Sequence, residues 1–289
     1  MFTQHYHVSA PSFESARLLP RDIAIRRIGI GDLWQSLQEG YADYAAKPHS
    51  FVLLAIFYLI GATVVTLIAS GEQLHYLAFP MVAGFTLVGP IVAVAAFEMS
   101  RCRKQGLEPS WSLAFRFIHT HSLAPILALS FVMTLLYIGW LYMAELIYFG
   151  TVGASLPASM AQFVHELFST RAGLVLIGYG NLVGLVFAWA ALAASVVAFP
   201  LALDKPVTAA TAMSVSIRAV TTNAFVMAVW GLVVAGLLLL GAALLLVGLA
   251  VTLPILGHAT WHLYRKLVDS GHSAARERRD YRLARDDTA

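Results

Sequence analysis

The sequence predicts an all-α membrane protein with six transmembrane helices, arranged as three helical hairpins that are each preceded by an amphipathic interfacial helix. Apolar residues make up 59% of the 289 residues, charged residues only 12%, and the mean hydropathy is +0.73. Soluble globular chains are far more polar than this. Residues 224–264 contain no Asp, Glu, Lys or Arg. One helix of that length would be about twice as long as a ~30 Å hydrocarbon core is thick, so the stretch must fold back on itself.

Two glycines offer the turn in this uncharged stretch. Gly241 and Gly248 flank a short apolar run, and no polar loop lies between them. We therefore expect transmembrane helices over about 224–243 and 248–266, the second of which contains Pro254. The second helix ends in residues typical of the headgroup region, namely Trp261, Tyr264, Arg265 and Lys266.

The chain before the first span divides into two parts. Residues 1–27 are polar and rich in Ser and Pro, which predicts a disordered cytoplasmic arm. In residues 28–46, Asp32 can cap a helix in which apolar and aromatic residues recur at spacings of three and four. This pattern predicts an amphipathic helix in the membrane interface, and Lys47 and Pro48 end it.

The rest of the transmembrane domain, residues 28–268 as a whole, follows the same plan. Four further spans are expected at about 50–69, 77–97, 123–149 and 172–199. Amphipathic segments precede the second and third hairpins at about 110–121 and 208–223, and a short helix is expected within the far-side loop at about 157–168. Residues 269–289 form a polar cytoplasmic tail.

The basic residues predict the orientation of this plan. With six spans, eighteen of the nineteen Lys and Arg fall on the side of the two termini, and only Arg171 falls on the far side. By the positive-inside rule both termini are therefore cytoplasmic. The same distribution explains the net charge of +3 without a nucleic-acid partner.

The order of amphipathic segment, span, short link and span occurs three times, which suggests an internal repeat. The three hairpins end similarly, with Pro90 before Glu98, Pro200 before Asp204 and Pro254 before His262. We infer three related units around a pseudo-threefold axis. Any six-span protein with cytoplasmic loops would show part of this rhythm.

The sharpest candidate for a cofactor site is the pair His258 and His262, four residues apart on one helical face. Two such imidazoles could hold a metal or contact a haem or a quinone, and Glu98, at the same predicted depth, could supply a third ligand. The alternative is structural, with the imidazoles hydrogen-bonded to backbone carbonyls or headgroups near Arg265. The motif does not decide between the two, and no metal site is predicted from it.

Asn181 is the candidate for a substrate contact. It lies inside the fourth span among Gly178, Gly180 and Gly184, where small residues permit close helix approach. Polar residues at this depth mark either an interhelical hydrogen bond or a ligand route. We identify no catalytic residues, because the sequence has no Gly-rich phosphate loop, Cys cluster or Ser-His-Asp arrangement within its spans.

Several motifs resemble a known family: residues 28–33, the segment from Tyr41 to Tyr44 with Lys47 and Pro48, residues 97–103, residues 199–204 and residues 256–266. Together, over about residues 25–268, they are similar to a bacterial family of predicted integral membrane proteins, a domain of unknown function. Some of its members are labelled cytochrome c oxidase subunits. The resemblance implies a six-span protein of the bacterial inner membrane with no established activity. The repeated plan is also similar to membrane domains attached to some glycerophosphodiester phosphodiesterases.

These observations leave three hypotheses for the function. The first is a non-enzymatic accessory, assembly or scaffold factor, whose partners are the lipid bilayer and a respiratory or other membrane complex. The second is a carrier or channel for a neutral or lipidic molecule, lined by Asn181. The third is a haem- or quinone-binding protein that uses His258, His262 and Glu98.

Overall fold

The computed structural model describes residues 18–46, 59–64, 66–67, 74–107, 110, 116–154, 156–157, 159–244 and 248–268. Within these residues the fold is helical, and the pairing outside helices is an isolated antiparallel bridge between Ile25 and Val268. Ten helices are labelled in chain order: α1 Ile30–Ala46, α2 Ala78–Phe85, α3 Gly89–Lys104, α4 Leu123–Thr151, α5 Met160–Ser169, α6 Arg171–Ser195, α7 Ala198–Asp204, α8 Ala209–Thr222, α9 Ala224–Ala243 and α10 Leu249–Leu267.

Four helical stretches in the described chain are long and apolar enough to cross a membrane. They are His75–Lys104, which contains α2 and α3, then Leu123–Thr151, Arg171–Asp204 and Ala224–Ala243. These agree with four of the predicted spans, and the all-α class is confirmed. The helix α10 follows the predicted bounds of the last span closely, but it is not among the four. Its second half carries His258, His262, Arg265 and Lys266, which lower its hydropathy.

Six spans in three hairpins stay a prediction, because much of the first predicted span, 50–69, lies outside the described residues. Residues 59–64 and 66–67 of it are helical. Residues 111–115 of the second amphipathic segment, the tail 269–289 and residues 1–17 of the arm also lie outside. The short far-side helix is present as α5, which Ser159 begins by accepting a hydrogen bond from the Gln162 backbone N–H.

The second halves of the three predicted hairpins meet at one end of the molecule. Helix α10 packs extensively on α3, and the buried helix α7 contacts both α3 and α10. The contacts are polar at the helix ends: Arg101 donates to the Leu203 carbonyl at 3.2 Å, and the Tyr264 hydroxyl donates to Asp204 at 2.7 Å. Helices α3, α7 and α10, which carry Pro90, Pro200 and Pro254, therefore form the centre of this end.

Helices α8 and α1, which the sequence predicts to be amphipathic, each pack on the second helix of a predicted hairpin. Helix α8 buries one face, which includes Val215 and Ala219, against α6 and α7. Its Ser216 hydroxyl accepts the Val197 N–H at 3.1 Å, at the break between α6 and α7. Helix α1 packs on α10 more extensively than any other pair of helices in the described fold packs together. The helix that precedes the first predicted hairpin therefore packs on the second helix of the third one.

Residues 18–27, the described part of the predicted disordered arm, contact the end of α10. Ile23 is buried, Ile25 pairs with Val268, and the Arg26 N–H donates to the Leu267 carbonyl at 2.8 Å. Apolar side chains within this polar stretch and free backbone groups at the end of α10 stabilise the contact. This part of the arm is an extended strap across the end of α10.

Candidate functional site between helices α1, α3 and α10

Three helices cross closely at the candidate site, and two glycines permit the crossing. A Cβ at Gly40 of α1 would stand 2.6 Å from the Ala259 backbone nitrogen of α10. On the adjoining side of α10, a Cβ at Gly257 would stand 2.8 Å from the Ala96 Cβ of α3. Helix α10 is therefore held closely between the backbone of α1 and the Ala96 side chain of α3, which brings the side chains around the crossings together.

Asp43 of α1 is the centre of a polar cluster at this crossing. Its Oδ2 atom lies 2.8 Å from His262 Nε2 and accepts the Ser100 hydroxyl at 2.6 Å. Its Oδ1 atom accepts Arg103 Nη1 at 2.7 Å, and the same guanidinium nitrogen donates to the Ala42 carbonyl at 2.7 Å. One carboxylate on α1 thus connects to both α3 and α10.

Ser100 relays this contact to His258. The two side chains are hydrogen-bonded through Ser100 Oγ and His258 Nδ1, and both are buried. Because an ionised carboxylate can only accept, the Ser100 hydroxyl hydrogen goes to Asp43, and His258 Nδ1 then donates to Ser100 Oγ. The chain Asp43–Ser100–His258 therefore has a defined direction, and it fixes the proton of His258 on Nδ1.

A second layer of charges closes the cluster on the α1 side. His262 Nδ1 lies 2.9 Å from Glu39 Oε2 without hydrogen-bond alignment, and Lys266 Nζ donates to Glu39 Oε1 at 3.1 Å. Hence the His262 imidazole lies between two carboxylates of α1. We define the polar cluster as Glu39, Asp43, Ser100, Arg103, His258, His262 and Lys266.

The surroundings of Asp43 favour its ionised form. Burial raises the pKa of the carboxyl, but the hydrogen bonds from His262 and Ser100, together with the charges of His262 and His258, outweigh burial. The net result is a pKa below the ordinary value of 3.8. Asp43 is therefore a stable anion at neutral pH that holds the donors of two other helices.

The structure brings His258 and His262 together, as their spacing predicted. Both imidazoles face Asp43 Oδ2, His262 at 2.8 Å and His258 at 3.9 Å. The residue of α3 that contacts His258 is Ser100, whereas Glu98 accepts Arg101 Nη2 of its own helix at 2.8 Å. Within the described residues, no group of three or more His, Cys, Asp and Glu side chains has the geometry to hold a metal ion.

Asn181 lies away from this cluster, on an exposed face of α6. Its amide donates to the Ile177 carbonyl of the same helix at 2.8 Å, so the bond seen is within α6 rather than between helices. A cavity of about 260 Å³ lies near one end of α6, lined among others by Tyr148, Phe163 and Glu166. Asn181 does not line that cavity.

Sequence reasoning missed Asp43, Ser100 and Asn223 as residues that join distant parts of the chain. Asn223 accepts the Ile28 N–H at 2.9 Å and donates to the Arg26 carbonyl at 3.1 Å, which secures the strap to the start of α9. A usable signal was its position, because Asn at a helix end commonly satisfies free backbone groups. Asp43 gave no such signal, because it stood among the polar residues of an amphipathic helix.

The fold and the cluster define an integral membrane protein in which a polar network joins the end of one candidate span, His75–Lys104, to helices α1 and α10. Residues 78–204 match the model of a family described as "Predicted integral membrane protein (DUF2189)". The resemblance to a membrane family of unknown function is thereby confirmed. No curated protein and no solved structure matches the chain.

Proposed function

We propose that this protein is a non-enzymatic accessory, assembly or scaffold factor of a bacterial inner membrane, with both termini in the cytoplasm. The observation that carries the proposal is the internal pairing of the polar cluster. Asp43 and Glu39 meet Arg103, His262 and Lys266 of the same chain. A carboxylate that orders donors from two other helices serves to hold α1 in place.

The burial of the spans also supports this role. Within the described chain, only 17% to 39% of the most apolar 18-residue stretch of each candidate span is buried inside the protein. The spans therefore present broad apolar faces to lipid or to other membrane proteins. By contrast, the end where α3, α7 and α10 meet is tightly packed. A tightly packed end, from which spans with exposed apolar faces extend, suits a protein that holds other membrane proteins in position.

The charges support the proposed orientation. Arg103 and Lys266 both contact α1, so the basic ends of α3 and α10 and the strap lie at one end of the molecule. This end matches the side on which the sequence places eighteen of nineteen basic residues. Helix α8 packs on α7, and α1 packs on α10. This arrangement favours three related units, in which contact between the first helix and the last one closes a ring.

The test is purification of the tagged protein from its own membrane in nanodiscs, with mass spectrometry and an absorption spectrum on the same sample. We expect stoichiometric recovery of one or more other membrane proteins, for example of a respiratory complex, and no haem band. In the same experiment we expect the Asp43→Asn variant to recover less of these proteins, because the substitution removes the charge that holds α1 in place.

Two outcomes would overturn the accessory role. A haem band or a stoichiometric quinone that is lost in His258→Gln and His262→Gln variants would support the cofactor hypothesis instead. Recovery without any partner protein, but with a bound neutral or lipidic molecule that Asn181→Leu removes, would support the carrier.

A further inference from the structure

Helix α6 exposes a polar residue at hydrocarbon depth. Asn181 lies ten residues after Arg171, the start of a candidate span, which corresponds to about 15 Å along the axis and so to the middle of a ~30 Å core. Its side chain is exposed and donates to the Ile177 carbonyl. Within the described chain, the second N–H and the side-chain carbonyl oxygen have no partner. Polar groups that face lipid in this way are costly.

The residues around Asn181 form a seam with the spacing of a helix–helix contact. Leu174, Gly178, Asn181, Leu185 and Ala188 follow one another at intervals of four, three, four and three, and all five are exposed. This is the heptad spacing of two helices that cross at a shallow angle. A Cβ at Gly178 would meet nothing within 4 Å, so a second backbone can approach closely there.

We propose that the protein forms a twofold homodimer through this α6 seam, with Asn181 of one protomer hydrogen-bonded to Asn181 of its partner. A carboxamide carries both donors and an acceptor and is therefore complementary to itself. Two copies inserted in the same orientation have parallel α6 helices, and a twofold axis along the membrane normal brings position 181 opposite itself. A second copy thus supplies what Asn181 lacks. The inference depends on α6 alone and does not rest on the accessory role.

The first test measures dimerisation by fluorescence energy transfer between labelled subunits in liposomes, over a series of protein-to-lipid ratios. We expect Asn181→Leu, which keeps the side-chain size, to raise the dissociation constant about 10-fold. Asn181→Gln should retain most of the affinity. Unchanged thermal unfolding of each variant in detergent shows that the subunit itself is folded.

The second test is disulfide cross-linking in membranes, in a Cys102→Ser background. Leu185→Cys lies on the seam, and Leu232→Cys on α9 is the matched control because it is the same residue type and is similarly exposed, at 73% against 65%. We expect a cross-linked dimer for position 185 and none for position 232. Equal cross-linking at both positions, a monomer at every lipid ratio, or an Asn181→Leu variant with unchanged affinity would each overturn the dimer.

Discussion

Gly40 of α1 faces the backbone of Ala259 of α10 so closely that a Cβ at position 40 would stand 2.6 Å from the Ala259 nitrogen and 2.8 Å from its Cα. Neither obstacle is a flexible side chain that could rotate away. We therefore expect Gly40→Ala to push α1 from α10 and to lower the free energy of unfolding by about 1–3 kcal/mol. Denaturant titration in detergent micelles, followed by tryptophan fluorescence, measures the change.

The control for this substitution lies on the same helix. Gly31 has nothing within 4 Å of its hypothetical Cβ, so Gly31→Ala should be neutral or stabilise by up to about 1 kcal/mol through helix propensity. Equal destabilisation by both substitutions would show that the effect at position 40 is not caused by contact with α10.

Low pH is expected to weaken the attachment of α1 to α3 and α10, because it protonates Asp43. Because the pKa of Asp43 is lowered in the folded protein, its ionised form contributes stability at every pH above about 4, the unfolded value. That contribution is lost as the pH falls through the lower folded pKa. Amide hydrogen exchange in α1, corrected for the intrinsic rate, should therefore rise below about pH 4. In Asp43→Asn the protection should already be weak at pH 7, and a wild-type profile there would contradict the assignment.

The strap depends on Asn223. Asn223→Ala leaves the Ile28 N–H and the Arg26 carbonyl without their partner, at a cost of about 1–3 kcal/mol. We expect residues 18–29 to become sensitive to proteases in the folded protein, while the helices stay resistant.

The control for the strap is Thr221→Ala two residues earlier. The Thr221 hydroxyl is exposed and bonds the Ile217 carbonyl of its own helix. This variant should be cleaved like the wild type. Similar cleavage of the Asn223→Ala and wild-type proteins would mean that Ile25 and Val268 hold the strap without Asn223.

The bounds of helices α9 and α10 were predictable because they depend on local composition. Residues 224–264 lack charge, and the glycines between the two arms gave bounds close to the observed ends at Ala243 and Leu249. The shared direction of His258 and His262 followed from a spacing of four on a helix. In each case the relevant signal lies within a few residues of the feature.

The contacts that His258 and His262 make with other helices were not predictable, because their partners lie far away in the sequence. Asp43 and His262 are 219 positions apart, and an aspartate on an amphipathic helix has the same pattern whether it faces water or another helix. Ser100 gave no signal beside the more conspicuous Glu98. The strap was missed because it depends on backbone groups and Asn223, which carry little hydrophobic pattern.

The most direct test of the link between α1 and α10 is a double-mutant cycle of Asp43→Asn and His262→Gln, measured by unfolding in detergent. A direct 2.8 Å contact between the two side chains predicts a coupling free energy of about 1–3 kcal/mol. The control cycle pairs His262→Gln with Asp32→Asn, whose carboxylate accepts the nearby Gly29 N–H, and should be additive within about 0.5 kcal/mol. Additivity of Asp43→Asn and His262→Gln would contradict the contact and the fixed position of α1.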